Sequence, residues 1–191
     1  MSIELIPKQV HLNDPSFMQA KKLLKTAFPK KEQMPAFLLF IGTLKKTIHF
    51  VAFYDNDNFA GLLYTIENDK YYFILYLAVN QEMRSKGYGG EILNYAYEQA
   101  GKRNIILNVE RLDQTADNYE QRLKRVSFYE KNGICRTGYG FSSEGVDYFV
   151  LASDTKNFDP SECKKLFGGI SLIREPLKIA IFRGNSENAT F

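Results

Sequence analysis

The chain has 191 residues, with 45% hydrophobic, 14% aromatic and 25% charged residues and a formal net charge of +3. Fifteen Phe and twelve Tyr supply a real core and exclude a disordered or low-complexity chain. The longest apolar runs, such as Tyr71–Val79, have about nine residues, whereas a spanning helix needs ~20, so no membrane passage is expected.

Residues 1–13 read as a short strand carrying Ile3, Leu5 and Val10, and Glu4 and Pro7 interrupt the apolar stretch a secretory leader would need. Asp14 is placed to cap a helix with Pro15 at its first position. From Ser16 onward Phe17, Ala20, Leu23, Leu24 and Ala27 recur at helical spacing, and Pro29 stops that helix. A second helical stretch follows Pro35, with Phe37, Leu38, Phe40 and Ile41, and ends near Lys45-Lys46.

The period then changes from 3.6 to 2. Thr47–Tyr54, Phe59–Glu67 and Tyr71–Val79 are strand-like runs joined by short polar connectors, which predicts an antiparallel meander. A Gly-rich turn over Arg84–Gly90 opens an amphipathic helix reaching about Ala100, with Ile92, Leu93 and Ala96 on one face. Residues 105–110 form a buried-type strand which, joined through that helix, is expected parallel to 71–79. A polar loop from Arg111 to Asp117 precedes a helix from about Asn118 to Lys131, which Asn132-Gly133 ends. A hairpin, 134–141 and 146–152, turns at Ser143-Glu144-Gly145. Beyond Ser153 a helix over 160–168, a short strand over 177–182 and a frayed tail from Gly184 are expected. The organisation reads as one α+β domain over 1–152 with a C-terminal extension over 153–191, built on a mixed, mostly antiparallel sheet of about six to seven strands.

Two cysteines, Cys135 and Cys163, stand far apart without a Cys-x-x-Cys, so neither a disulfide framework nor a zinc site is suggested and a cytoplasmic setting fits best. Lysines and arginines are scattered among acids. The one basic cluster, Arg122-Leu123-Lys124-Arg125, is too short to mark a nucleic-acid binder.

The strongest chemical signal is the strand Tyr71–Val79 running into Arg84-Ser85-Lys86-Gly87-Tyr88-Gly89-Gly90 and then a helix. The first turn of a helix leaves amides without partners and carries partial positive charge; glycines let those amides approach an anion, and Arg84 and Lys86 add formal charge. A dinucleotide fingerprint does not fit, because Ile92 stands where its third glycine belongs, and no Walker loop is present.

Arg84-x-x-Gly87-x-Gly89 after Leu77-Ala78-Val79 resembles the acyl-CoA-binding motif of the GNAT acetyltransferase superfamily. Phe128-Tyr129-Glu130-Lys131-Asn132-Gly133-Ile134 is similar to that superfamily's later helix end, and the element order matches over roughly residues 1–152. The resemblance implies acetyl-CoA as co-substrate and transfer of its acetyl group to a primary amine by direct attack in a ternary complex. It implies that Leu77, Ala78 and Val79 offer backbone groups to the pantetheine arm, with an amide near Val79 polarising the thioester carbonyl. It further implies that Arg84, Ser85, Lys86, Gly87, Tyr88, Gly89 and Gly90 hold the pyrophosphate, and that Tyr129 protonates the leaving thiolate. Where the family often has an asparagine against the pantetheine, this chain has Arg122, with Asn118 one turn earlier.

A base is also required, since an amine with pKa near ~10 is protonated at neutral pH. Glu110 at the end of the predicted parallel strand is the first candidate and Glu32, between the two N-terminal helices, the second. His11 and His49 read as structural. Asp113, Asp117, Glu120, Glu144 and Asp147, with Tyr139, Phe141 and Tyr148, could rim a site for a cationic small-molecule or peptide amine. The rival reading is a non-catalytic acyl-CoA sensor or partner subunit. The extension either covers the acceptor site or makes a homodimer contact.

Overall fold

A computed structural model describes residues 4–30, 32–143, 145–170 and 181–183. The chain divides into two units, Met1–Gly101 and Lys102–Phe191. Eight strands and five α-helices occur among the described residues, in an α+β, mostly antiparallel arrangement of GNAT type.

In the first unit, β1 (Ile6–Gln9), β2 (Ile48–Asp55), β3 (Asn58–Glu67) and β4 (Tyr71–Val79) lie in that spatial order, and each neighbouring pair is antiparallel. β1 is an edge strand whose four residues are all exposed, so its backbone pairing and not the expected alternation makes it a strand. Pro7 is tolerated there because an edge position need not donate to a ladder. The meander is as predicted: Asn56, at φ 53°, takes the left-handed position of the tight β2–β3 turn. Phe50, Phe53, Leu62, Leu63, Tyr64, Tyr71 and Phe73 of this sheet are almost wholly buried.

Three helices accompany it. In α1 (Pro15–Ala27) Asp14 caps as expected, its carboxylate accepting the Ser16 amide at 2.7 Å, which holds the Asp14 carboxyl below its ordinary range. α2 (Ala36–Gly42) meets α1 through an edge-on contact of Phe17 with Phe40. α3 (Tyr88–Ala100) buries Ile92, Leu93, Ala96 and Ala100. It comes close to β3 at Gly61, where an added Cβ would lie 2.8 Å from Ile92 Cδ1 and 2.4 Å from the Ala78 carbonyl oxygen. That crowding explains a glycine inside a strand.

In the second unit, β5 (Asn104–Glu110), β7 (Val146–Ala152), β6 (Cys135–Ser143) and β8 (Ile181–Arg183) lie in that order, again with antiparallel pairs. α4 (Tyr119–Lys131) follows β5 and α5 (Pro160–Ile170) follows β7. Ile105, Ile106, Ile134, Leu151 and Cys163 are fully buried. Residue 144, residues 177–180 of the predicted short strand and the predicted tail from Gly184 lie outside the described residues.

Candidate active site

The Gly-rich turn is built on β4. After Val79, Asn80 ties the chain back to β3, its amide donating to the Ala60 carbonyl at 2.8 Å and its side-chain amide to that of Phe59 at 3.1 Å. A short 3-10 turn over Gln81–Met83 leads to Ser85 at φ 63° and Gly87 at φ 93°. These two left-handed residues turn the backbone abruptly, and Gly87, where a side chain would be strained, becomes the N-cap of α3. Tyr88 and Gly89 therefore open the helix with amides that have no carbonyl a turn earlier to bond.

Tyr88 is the residue between the two motif glycines, and its side chain is spent on anchoring. The hydroxyl donates to Asp55 Oδ2 at 2.5 Å, tying the start of α3 to the end of β2 and raising the Tyr88 phenol above its ordinary range. Arg84, Ser85 and Lys86 are exposed, as a cradle for an anionic group requires. The Arg84 Nε also reaches back to the Val79 carbonyl at 3.3 Å, so the guanidinium lies against the strand end expected to meet the pantetheine.

Glu32 belongs to the same unit. The segment carrying it is fastened to β4 by Tyr76, whose hydroxyl donates to the Glu32 carbonyl oxygen and accepts the Met34 amide at 3.2 Å, with Phe28 edge-on to its ring. The Glu32 side chain is half-buried.

The second unit holds Tyr129 and Glu110. Tyr129 occupies the last turn of α4, which ends in a Schellman arrangement: the Ile134 amide donates to the Tyr129 carbonyl at 3.0 Å and the Gly133 amide to that of Glu130 at 3.1 Å, with Gly133 at φ 81°. The Asn132 side chain adds a bond to the Phe128 carbonyl at 2.7 Å. Tyr129 is thus rigidly held and only 7% exposed; its hydroxyl makes no hydrogen bond among the described residues but is not sealed from solvent, Ser16 Oγ being the enclosed side-chain atom left without a partner there. Burial pushes its phenol up to about 12, while the Arg125 guanidinium pulls the other way.

Glu110, at 6% exposure, is one of few buried ionisable groups, and both its oxygens are engaged. Arg122 Nη2 lies 3.0 Å from Oε1, and Arg125 Nη1 lies 3.6 Å from Oε2, which also accepts from the Asn118 side chain at 3.3 Å. Arg122 is fully committed. Its Nε donates to Asn118 Oδ1 and its Nη1 to the Arg111 carbonyl, both at 2.8 Å, so it closes the loop between β5 and α4. Residue types alone did not reveal this network; its only sequence signal was an Arg standing where the resemblance called for Asn.

Two of the five acids expected to rim an acceptor site are spent on local structure. Asp113 accepts twice from Thr115, which lowers its carboxyl below the ordinary range. Asp147 accepts from Ser142 and sits 3.7 Å from Arg111. Phe141 is buried and stacked on Tyr148, and Tyr139 packs against Phe158. Asp117 and Glu120 are exposed, and Glu144 lies outside the described residues. His49 Nε2 stands 3.4 Å from Glu67. No group of His, Cys, Asp or Glu suited to a metal occurs among the described residues.

Among solved structures, the chain is similar to an acetyltransferase of the GNAT family from Bacteroides thetaiotaomicron, at 21% identity and a TM-score of 0.65 over 88% of this chain and 97% of that one. It is also similar to an aminoglycoside 6′-N-acetyltransferase complexed with coenzyme A, at 20% identity and a TM-score of 0.60 over 81% of this chain and 99% of that one. A third is an Arabidopsis thaliana protein in complex with the bisubstrate analogue CoA-Ac-MVNAL, at 22% identity and a TM-score of 0.55 over 81% of this chain and 99% of that one. At these identities the likeness shows a shared fold. No curated protein matches in sequence. The sequence profile described as "Acetyltransferase (GNAT) family" matches residues 17–134, more than half of the chain, running from the first unit into the start of the second. The chain belongs to the GNAT family of acetyltransferases.

Proposed function

We propose that this acetyltransferase moves the acetyl group of acetyl-CoA to a primary amine by direct attack in a ternary complex, in the cytoplasm, with residues 1–152 as the acetyltransferase domain and 153–191 as its extension. The observation that carries the reading is the turn after β4, whose left-handed Ser85 and Gly87 aim the opening amides of α3 outward beside Arg84 and Lys86. In this role Arg84 through Gly90 bind the pyrophosphate, and Leu77, Ala78 and Val79 receive the pantetheine arm through backbone groups. Asn118 and Arg122 act indirectly, by fixing the loop that follows β5.

Tyr129 donates the proton that the departing thiolate needs, a task that suits a hydroxyl on a largely buried ring with no hydrogen-bond partner among the described residues. Glu110, the first candidate for the base, would have to give up contacts with two guanidiniums and an amide to accept a proton. Glu32, on the segment that Tyr76 fastens to β4, is the second carboxylate to test as the base that deprotonates the incoming ammonium, directly or through water. Structural relatives described with coenzyme A and with a CoA–peptide analogue support a CoA thioester as donor and place both small-molecule and peptide amines among the acceptors to screen.

The test is the thermal midpoint with and without millimolar acetyl-CoA. A ligand at ~100 times its dissociation constant stabilises by about 2.7 kcal/mol, or roughly 5–10 °C for a chain of this size. A clear shift followed by amine-dependent release of CoA thiol is the expected result. No shift would overturn the reading, and a shift without thiol release from any amine would favour a sensor.

A further inference from the structure

Of the two arginines that grip Glu110, only one is used up. Arg122 donates to Glu110, Asn118 and the Arg111 carbonyl. Arg125 has a single ion-pair contact, at 3.6 Å, and makes no hydrogen bond among the described residues, so most of its guanidinium donors are uncommitted. It is nonetheless only partly exposed.

Arg125 and Tyr129 lie four residues apart within α4, so they stack on one face of the helix. Long side chains on a helix lean toward its N-terminus, which carries the Tyr129 ring over the turn that bears Arg125. The Schellman arrangement below Tyr129 and the Glu110 carboxylate beside Arg125 fix the two partners independently. A half-buried cation with spare donors thus lies one helical turn from a tyrosine hydroxyl that makes no hydrogen bond among the described residues.

We propose that Arg125, held in place by Glu110, is a positioning residue that acts through Tyr129, stabilising the phenolate formed as that hydroxyl gives its proton to the leaving thiolate of coenzyme A. The inference rests on the acetyl-transfer reading above and adds to it a role for two residues. In the step, the carbon–sulfur bond of the tetrahedral intermediate breaks, the sulfur takes the phenolic proton, and Tyr129 recovers a proton from water after the products leave. Without help the transfer is unfavourable. Burial raises the phenol to about 12 even with Arg125 pulling the other way, and it must protonate a thiolate whose acid lies near ~8.5, a deficit of roughly three to four powers of ten that would be larger without the guanidinium. A full positive charge in a poorly solvated place is what lowers that deficit. Glu110 keeps the cation there.

The experiment compares Arg125→Gln, Arg125→Lys, Tyr129→Phe and the Arg125→Gln/Tyr129→Phe double variant in the full chain. Turnover is read as release of CoA thiol from acetyl-CoA with n-butylamine as acceptor, and acetyl-CoA affinity by calorimetry. Arg122 remains to pair Glu110 in Arg125→Gln, so the variant should fold, which its thermal midpoint checks. The expected result is a loss of kcat on the order of 10–100-fold in Arg125→Gln with KM for acetyl-CoA within about twofold, partial recovery in Arg125→Lys, and no further loss in the double variant beyond Tyr129→Phe. An equal fold loss in both backgrounds, or a raised KM with kcat intact, would overturn the inference and make Arg125 a structural or ligand-holding group. If the unaltered protein neither binds acetyl-CoA nor releases thiol, the acetyl-transfer reading falls first and takes this role with it. Binding and turnover with additive variants would sink the Arg125 role alone.

Discussion

Gly61 sits in the middle of β3, opposite Val79 of β4, where Leu77–Val79 are proposed to meet the cofactor. Its φ is not in the left-handed region, so alanine is allowed there by backbone conformation and any penalty comes from space. The added Cβ would lie 2.4 Å from the Ala78 carbonyl oxygen, 2.8 Å from Ile92 Cδ1 and 3.3 Å from Val79 Cα. Ile92 can bend its terminal methyl away, but the carbonyl belongs to a strand held in the β3–β4 ladder and must retreat by roughly 1 Å to reach normal contact. Overpacking of this kind costs about 1–3 kcal/mol, and an obstacle made of backbone puts Gly61→Ala at the upper end. Removing a glycine from the unfolded chain returns about 0.4–1 kcal/mol, leaving a net loss of roughly 2 kcal/mol. The thermal midpoint should then fall by about 4–8 °C. The same displacement moves the Ala78–Val79 backbone, so acetyl-CoA affinity measured by calorimetry should weaken by an order of magnitude or more. A midpoint within 1 °C of the parent, with unchanged affinity, would refute both the packing argument and the place given to the end of β4.

Three further outcomes are expected. Tyr129→Phe should lower turnover by roughly 100-fold while acetyl-CoA affinity stays within about twofold, measured by thiol release and calorimetry; lost affinity with normal turnover would contradict its role as proton donor. Gly89→Glu puts a carboxylate in the first turn of α3, a position the helix dipole favours, so the midpoint should hold while the shift caused by acetyl-CoA disappears. Burial also pushes the Cys163 thiol from near 9 up to about 12, so the native state keeps a proton that the unfolded chain loses first. Stability is therefore full below pH 9 and should decline as pH climbs from 9 toward 12, and Cys163→Ala should flatten the early part of that decline in denaturant titrations.

Much of this molecule was legible in its sequence because the governing physics is local. The change of period from 3.6 to 2 marks where α2 gives way to the meander, Asp14-Pro15 starts α1, Asn132-Gly133 stops α4, and the glycines after β4 predict a turn that only left-handed residues can make. What each side chain does there was decided by tertiary structure. Glu110 reads as a lone carboxylate in the sequence, and folding brings Arg122 and Arg125 onto its two oxygens; a carboxylate's partners cannot be read from its own neighbours in sequence. Phe141 and Asp147 read as parts of an acceptor rim, but the pairing of β6 with β7 turns one into core and gives the other to Ser142 and Arg111. Tyr88 could have faced a ligand or the protein, and the nearby end of β2 settles it in favour of Asp55. Backbone conformation and burial follow from short stretches of residues and their periodicity, whereas the use of a charge or hydroxyl depends on which distant groups folding brings within about 3 Å of it.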